Sequence, residues 1–384
     1  MAAMTYLFET DEHAALRAQV ERFAAAEIAP HADAWEDAEE FPLALYAKAG
    51  AAGVLGIGYP EVYGGSGGDL SHVVAASEAM VLAGRSVGTT VGLGSHGIAL
   101  PPILRAGTDE QKQRWIPPVL RGEKVSALAI TEPGGGSDVA NLRTRAERDG
   151  DALVLNGAKT FITSGARADL VTVAVRTGGP GHGGVSLVVV ERGTPGFTVG
   201  KRLRKMGWGA SDTAELHFDD CRVPLANVLG DVDAGFVTIM LNFATERVFL
   251  AAQCVAIATL AYRESVAWAR ERQAFGKTLA GFQVTRHKLA DMATRIAAAR
   301  ALTGEVVSRV LAGDASSAGL AAMAKNTATD MCSAVCDEAV QIHGGYGYMR
   351  GVLVERLYRD ARLYPIGGGT REIMNEIISK TEGY

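Results

Sequence analysis

Three glycine-rich segments and one carboxylate in an apolar run hold the residue types that can do chemistry in this chain. Thr131-Glu132-Pro133-Gly134-Gly135-Gly136-Ser137-Asp138, Gln341-Ile342-His343-Gly344-Gly345-Tyr346-Gly347-Tyr348 and Gly367-Gly368-Gly369-Thr370 each read singly as a turn that needs positive φ. Glycines ahead of a helix start also leave free N–H groups that can hold a phosphate or an oxyanion. Glu246 stands in Phe243-Ala244-Thr245-Glu246-Arg247-Val248-Phe249-Leu250. Apolar neighbours would raise its pKa and keep it dry, as suits a proton-abstracting base. The alternative is a helix carboxylate paired with a nearby basic side chain. No Gly-x-Gly-x-x-Gly leads from a strand into a helix, and the full P-loop pattern ending in Gly-Lys-Ser/Thr is absent, so a Rossmann or P-loop site is not expected. Cys332 and Cys336 lie four apart, but no nearby His or Cys completes a metal pair. With Cys221 and Cys254 they are expected as free, buried thiols in a reducing cytosol. Asp231 and Asp233 are loop carboxylates without metal spacing. His343 reads as a packing residue, His96 as either a channel or a turn histidine, and Trp208 as either a pocket-mouth or a core residue.

Three stretches must position these groups. To about residue 125 the pattern is helical. Leu16, Val20, Phe23 and Ile28 recur at near-helical spacing before Pro30, Ser71 can cap a helix carrying Val73 to Met80, and Asp109 to Trp115 forms a short helix stopped by Pro117-Pro118. From 126 to 235 short β-prone runs, 170–175 and 185–190, alternate with turns at Asp149-Gly150, Asn156-Gly157 and Thr177 to Gly181, which suggests a small antiparallel barrel or sandwich. From 236 to 384 the chain is helical again, with one helix from Phe236 to Phe275, others from about Phe282 and Ser316, and a last from Thr370 to about Lys380. Long helices joined by short loops predict an antiparallel bundle.

Composition narrows the class. With 384 residues, 48% hydrophobic and 21% charged, the chain is large enough for two or three packed units. A net charge of −5 gives no basic face for nucleic acid. No run of about 18 apolar residues lacks charges, so no membrane span is expected. The N-terminus has neither a basic n-region nor an apolar h-region before Glu9, Asp11 and Glu12, so no secretory signal is expected and a cytoplasmic location follows.

Taken together, the segments resemble the acyl-CoA dehydrogenase family over nearly the whole chain. Glu61-Val62-Tyr63-Gly64-Gly65, Leu128 to Asp138, Asn156 to Gly165, Arg272-Gln273-Ala274-Phe275-Gly276 with Phe282-Gln283, Gln341 to Gly345, and Asp360-Ala361-Arg362 occur in the family's order. The resemblance implies an α+β fold: an N-terminal all-α domain (1–125), a middle antiparallel β-barrel domain (126–235) and a C-terminal four-helix bundle (236–384). It also implies FAD. Leu128, Ala129, Ile130, Thr131, Gly136 and Ser137 would line the flavin's pyrimidine edge, with Ser137 also touching the thioester. Phe161, Ile162 and Thr163 would stand beside the ring, the Thr163 hydroxyl near N5; the family often has Trp where Phe161 stands. Arg272, beside Phe275, would meet the FAD pyrophosphate of a neighbouring subunit. Gln283, Gln341, Gly344, Gly345, Thr370 and Glu372 would complete the cofactor shell.

The same resemblance implies loss of a proton from Cα and of a hydride from Cβ of an acyl thioester. Many members carry the base in a Tyr-Glu-Gly-Thr loop before the last helix, but here Gly368 stands at that position. Members acting on long-chain and isovaleryl thioesters instead place it before an arginine on the first long bundle helix, matching Glu246-Arg247. Glu246 is then the base, Arg247 faces the pantetheine or phosphate part of the ligand, and Gly368 and Gly369 lie at the thioester carbonyl. The expected substrate is an acyl-CoA with a long, branched or bulky chain, and the expected electron acceptor is an electron-transferring flavoprotein. A homotetramer built as a dimer of dimers is implied. Alternatives on the same scaffold are an oxygen-reactive acyl-CoA oxidase or monooxygenase, or a dehydrogenase of acyl carrier protein thioesters.

Overall fold

A computed structural model describes residues 5–314 and 316–384. The first part is helical: α1 (Asp11–Glu27), α2 (Ala32–Asp37), α3 (Ala44–Ala51), α4 (Leu70–Gly84), α5 (Val87–Leu93), α6 (His96–Ala99), α7 (Pro101–Ala106) and α8 (Asp109–Leu120). Two local expectations are corrected here. Asp69, not Ser71, caps α4, because its carboxylate reaches the Ser71 N–H at 2.9 Å and His72 completes the capping box. Pro117 and Pro118 do not stop α8. They lack donors, but Trp115, Ile116, Val119 and Leu120 are all buried in one apolar cluster, and that packing carries the helix through.

The middle strands are β1 (Ser126–Ala129), β2 (Arg145–Asp149), β3 (Ala152–Thr163), β4 (Leu170–Arg176), β5 (Val185–Glu191), β6 (Phe197–Arg202) and β7 (Thr213–Pro224). They form one sheet in the order β1-β4-β2-β3-β7-β6, with β5 on β4. Most pairings are antiparallel as expected, but β1 and β2 both run parallel to β4. Asn156-Gly157 is not a turn: it lies inside β3 at a bulge against β7. Gly157 has φ 149°, and a Cβ there would fall 2.7 Å from Thr144 Cα, so only glycine lets the two backbones approach.

The last part comprises α9 (Gly235–Glu271), a small hairpin of β8 (Gln273–Ala274) and β9 (Lys277–Thr278), α10 (Gln283–Leu311), α11 (Ser317–His343), α12 (Leu353–Ala361) and α13 (Arg371–Glu382). Helix α9 therefore ends four residues before Phe275, which the hairpin takes instead, and α12 is an element the sequence pattern did not suggest. Helix α9 is long and apolar enough to cross a membrane, but 72% of its apolar window is buried against the other helices, so it reads as a core helix. Across the α1–α4–α10 junction, the buried Glu78 carboxylate accepts from Arg17 at 2.6 Å and from Arg300 at 3.0 Å. Burial works against that charge, but the two guanidiniums outweigh it and hold the Glu78 pKa below the usual carboxylate range. Arg300→Leu is expected to lower stability by about 3–5 kcal/mol, because Glu78 keeps only one cation. Arg309→Leu, which breaks exposed pairs, should leave stability nearly unchanged; thermal and denaturant unfolding check both.

Candidate active site

Helix α9 passes beneath the N-terminal helices, and a cavity of about 320 Å³ lies between them. Leu55, Leu70, Met80, Leu93 and Phe249 give it apolar walls, and Glu246 presents a carboxylate to it. Burial pushes the Glu246 pKa up to about 7, against the opposing pull of Arg247 and Lys325. A carboxylate with that pKa can both take and release a proton near neutrality.

The glycine turn before α13 closes on the same carboxylate. Gly368 has φ +64° and Gly369 φ +96°, and Thr370 caps α13 by accepting from the Ile373 N–H at 3.3 Å. A Cβ on Gly368 would stand 3.4 Å from Glu246 Oε1 and 2.4 Å from Leu250 Cδ1. The two positions that the sequence offered for a base thus converge on one spot. Arg247 is only 7% exposed, and its Nη2 lies 4.0 Å from where a Gly369 Cβ would be. It therefore sits behind the turn rather than on an open rim where phosphates could reach.

A second group gathers at the start of the sheet. The Thr160 N–H donates to the Thr131 carbonyl at 2.9 Å, holding the end of β3 beside the turn that follows β1. The buried Lys159 ammonium donates to the Ile130 carbonyl at 3.0 Å and to Glu132 at 2.9 Å. Burial brings the Lys159 pKa down to about 8. Burial alone would raise that of Glu132, but Lys159 and the Thr144 and Arg143 N–H donors hold it low. The turn is thereby pinned, and the ideal Cβ positions of Gly134 and Gly135 face open space. The side chains of Leu128, Ala129 and Ile130 are buried. Phe161 is 68% exposed at φ +59°, whereas Ile162 is buried.

A third group lies at the far end of the bundle. Arg272 follows α9, with its guanidinium 6.0 Å from the Trp268 ring centroid, and Trp268 is stacked between His343 and Tyr346. Phe275 is 97% exposed at φ +51°. Gln283, Gln341, Gly344 and Gly345 are exposed at the adjoining helix ends, and the Gly344 and Gly345 Cβ positions are open. Ser137 and Gly136 lie in the exposed turn after β1, and Glu372 is exposed on the first turn of α13.

Residues 10–123, 127–221 and 233–382 match the N-terminal, middle and C-terminal domains of acyl-CoA dehydrogenases. The chain belongs to the acyl-CoA dehydrogenase family. An acyl-CoA dehydrogenase of Bacillus subtilis (strain 168) is 42% identical over 377 residues, spanning 97% of this chain and 98% of that protein. The mitochondrial long-chain specific acyl-CoA dehydrogenase of Rattus norvegicus is 40% identical over 376 residues, spanning 97% of this chain and 86% of that protein. The crystal structure of acyl-CoA dehydrogenase from Geobacillus kaustophilus has a TM-score of 0.94 at 40% identity, covering 99% of this chain and 100% of that one.

The dehydrogenase is accordingly an FAD-dependent oxidoreductase acting on acyl-CoA. Its residues fit that cofactor. Strand β1 lies at the sheet edge, paired on one side with β4, so backbone groups on its other side can meet the ring's polar rim. Phe161 supplies an exposed aromatic face, and the open glycines at 134–135 and 344–345 admit a close ligand. His96 lines the cavity, bonded to the Leu93 carbonyl at 2.9 Å and pushed toward the neutral form by burial. His343 bonds to the Ala339 carbonyl and packs on Trp268, and Trp208 is a core residue edge-on to Tyr364. All four cysteines are free and buried. The sequence reading missed the far cavity wall, Asn242 and Lys325; a lysine among Ala321, Ala322, Ala324 and Ala328 was the available signal for the last.

Gly368→Ala is expected to be destabilising by about 1–3 kcal/mol from the left-handed backbone, with a further penalty from Leu250. Gly150→Ala, at φ +65° with nothing within 4 Å of its Cβ, carries the backbone effect alone; the difference in unfolding free energy reads the Leu250 clash.

Proposed function

We propose that Glu246 is the base of an α,β-dehydrogenation that converts an acyl-CoA to its trans-2-enoyl-CoA. The observation that carries this is the convergence of Glu246 Oε1 on the space beside Gly368. An acyl chain enters the apolar cavity, and the Glu246 carboxylate removes the α-proton. The walls keep water out, so the raised pKa is maintained until substrate binds. The Gly368 N–H, which has no hydrogen-bond partner among the described residues, is available to the thioester oxygen as negative charge grows there. FAD, when bound, supplies the hydride acceptor for the Cβ hydrogen. Thr163 and Phe161 would line its ring, Ser137 would meet ring and thioester, Arg272, beside Phe275, would meet the cofactor of a neighbouring subunit, and Gln283, Gln341, Gly344, Gly345, Thr370 and Glu372 would complete the shell.

A long, branched or bulky acyl chain is part of this reading, supported by the apolar cavity of about 320 Å³ that Glu246 faces. So are a tetramer, supported by the exposed Phe275 and Tyr348, an electron-transferring flavoprotein as acceptor, and a cytoplasmic location, supported by the four free thiols.

Glu246→Gln should retain bound FAD and lose substrate bleaching under anaerobic conditions by about 10³-fold. Bleaching at the wild-type rate would move the base elsewhere. In the wild type the bleaching rate should rise with pH through about 7, as the carboxylate ionises. The linkage runs the other way for stability. The folded pKa of about 7 exceeds the ordinary 4.5, so the stabilisation from this group is present below about 4.5 and lost as pH rises to about 7. Glu246→Gln should therefore melt higher than wild type above pH 7, which thermal unfolding at two pH values checks.

A further inference from the structure

Lys325 is 1% exposed on α11, among the buried Ala321, Ala322, Ala324 and Ala328. A methionine would fill that volume without the cost of desolvating an ammonium. Among the described residues, Lys325 forms no ion pair; its ammonium donates to the Gly369 carbonyl. The segment it grips is poorly held by anything else. The Gly367 N–H is tied to Leu363 O at 2.9 Å, the Arg371 N–H to Pro365 O at 3.1 Å, and Thr370 caps α13. Between those anchors, Gly368 and Gly369 make no other hydrogen bond among the described residues. Three consecutive glycines have the largest conformational freedom a chain can offer, and two of them sit at positive φ. Without a clamp, the Gly368 N–H would sample many directions.

We propose that Lys325 is a positioning residue: by holding the Gly369 carbonyl it fixes the glycine turn and so orients the Gly368 N–H for the thioester oxygen. This rests on the dehydrogenation reading above. The charges facing the turn agree with it. Glu246, Arg247 and Cys254 face Lys325 from α9, while α13 contributes only the apolar Met374 and Ile373 against Gly369. Two buried cations against one carboxylate leave the site electropositive where an enolate-like oxygen develops. Burial brings the Lys325 pKa down to about 8, with Cys254 and Glu246 opposing, which stays above the value of about 7 for Glu246.

The test compares Lys325→Met and Lys325→Gln with wild type, each purified with FAD. A cinnamoyl-CoA thioester serves as the probe, because hydrogen bonding to its carbonyl red-shifts its ultraviolet band. Lys325→Met should lose most of the bound-state red shift and slow anaerobic flavin bleaching by on the order of 10²-fold. Lys325→Gln, which keeps a donor without the charge, should recover part of both. In either variant the midpoint of the bleaching-rate pH profile should move upward, because a cation facing Glu246 is gone. A loss of packing alone would lower melting temperature without moving the red shift or the midpoint. A wild-type red shift in Lys325→Met overturns the proposal, even if bleaching slows. Should that variant not fold, Lys325→Gln with a wild-type red shift and an unmoved midpoint overturns it. Glu246→Gln in parallel separates the two ideas: it should abolish bleaching and keep the red shift. If it bleaches normally, the base assignment fails while the probe still reads Lys325.

Discussion

Close packing of Leu250 and Glu246 against the bare backbone of Gly368 is the constraint on which the site depends. The Glu246 carboxylate comes from a helix and the glycine turn from a loop more than a hundred residues later, yet both address one small volume. A Cβ at 368 would clash with Leu250 and stand in van der Waals contact with Oε1. The absence of a side chain there therefore lets the turn lie directly against Leu250 and the carboxylate of α9. Turn and helix form one unit, and a change at either is felt by the other.

Desolvation gives that unit its chemistry. The same apolar walls that shape the cavity raise Glu246 to about 7. Net stability is lost to make a usable base, in keeping with the strain and burial that active sites commonly store. Other buried charges are treated differently. Glu78 is matched by two guanidiniums, and Glu132 by Lys159 and two backbone N–H groups, so each stays ionised and structural. Glu246 has no close hydrogen-bonded cation among the described residues. That contrast separates a carboxylate held for architecture from one held for proton transfer.

The cofactor segments follow a related logic. Lys159 and Glu132 hold the turn after β1, and Gly134 and Gly135 of that turn stand in the open. Phe161 and Phe275 are both held at positive φ, which directs an aromatic ring outward from a strand and from a tight hairpin. Exposed aromatics on strained backbone are costly in an isolated chain and make sense when a flat ligand or a second subunit covers them.

Much of this was legible in the residues. The order of helical and β stretches, the long α9, the motifs beginning at Leu128, Asn156 and Arg272, and the pairing of Gly368 with Glu246-Arg247 are local patterns, and local patterns survive in one dimension. The errors were also local. Pro117-Pro118 and Asn156-Gly157 were read as breaks by propensity, but burial of Trp115 and Ile116 and the pairing of β3 with β7 overrode it. What the sequence determined by itself was which residue types occur and in what order, and hence the family and its cofactor segments. The tertiary structure alone decided that Arg247 is enclosed, that Lys325 reaches the Gly369 carbonyl, and that Glu246 and Gly368 share one volume. Those facts depend on how α9, α11 and the last turn pack, and packing distances between remote segments are not encoded in spacing along the chain.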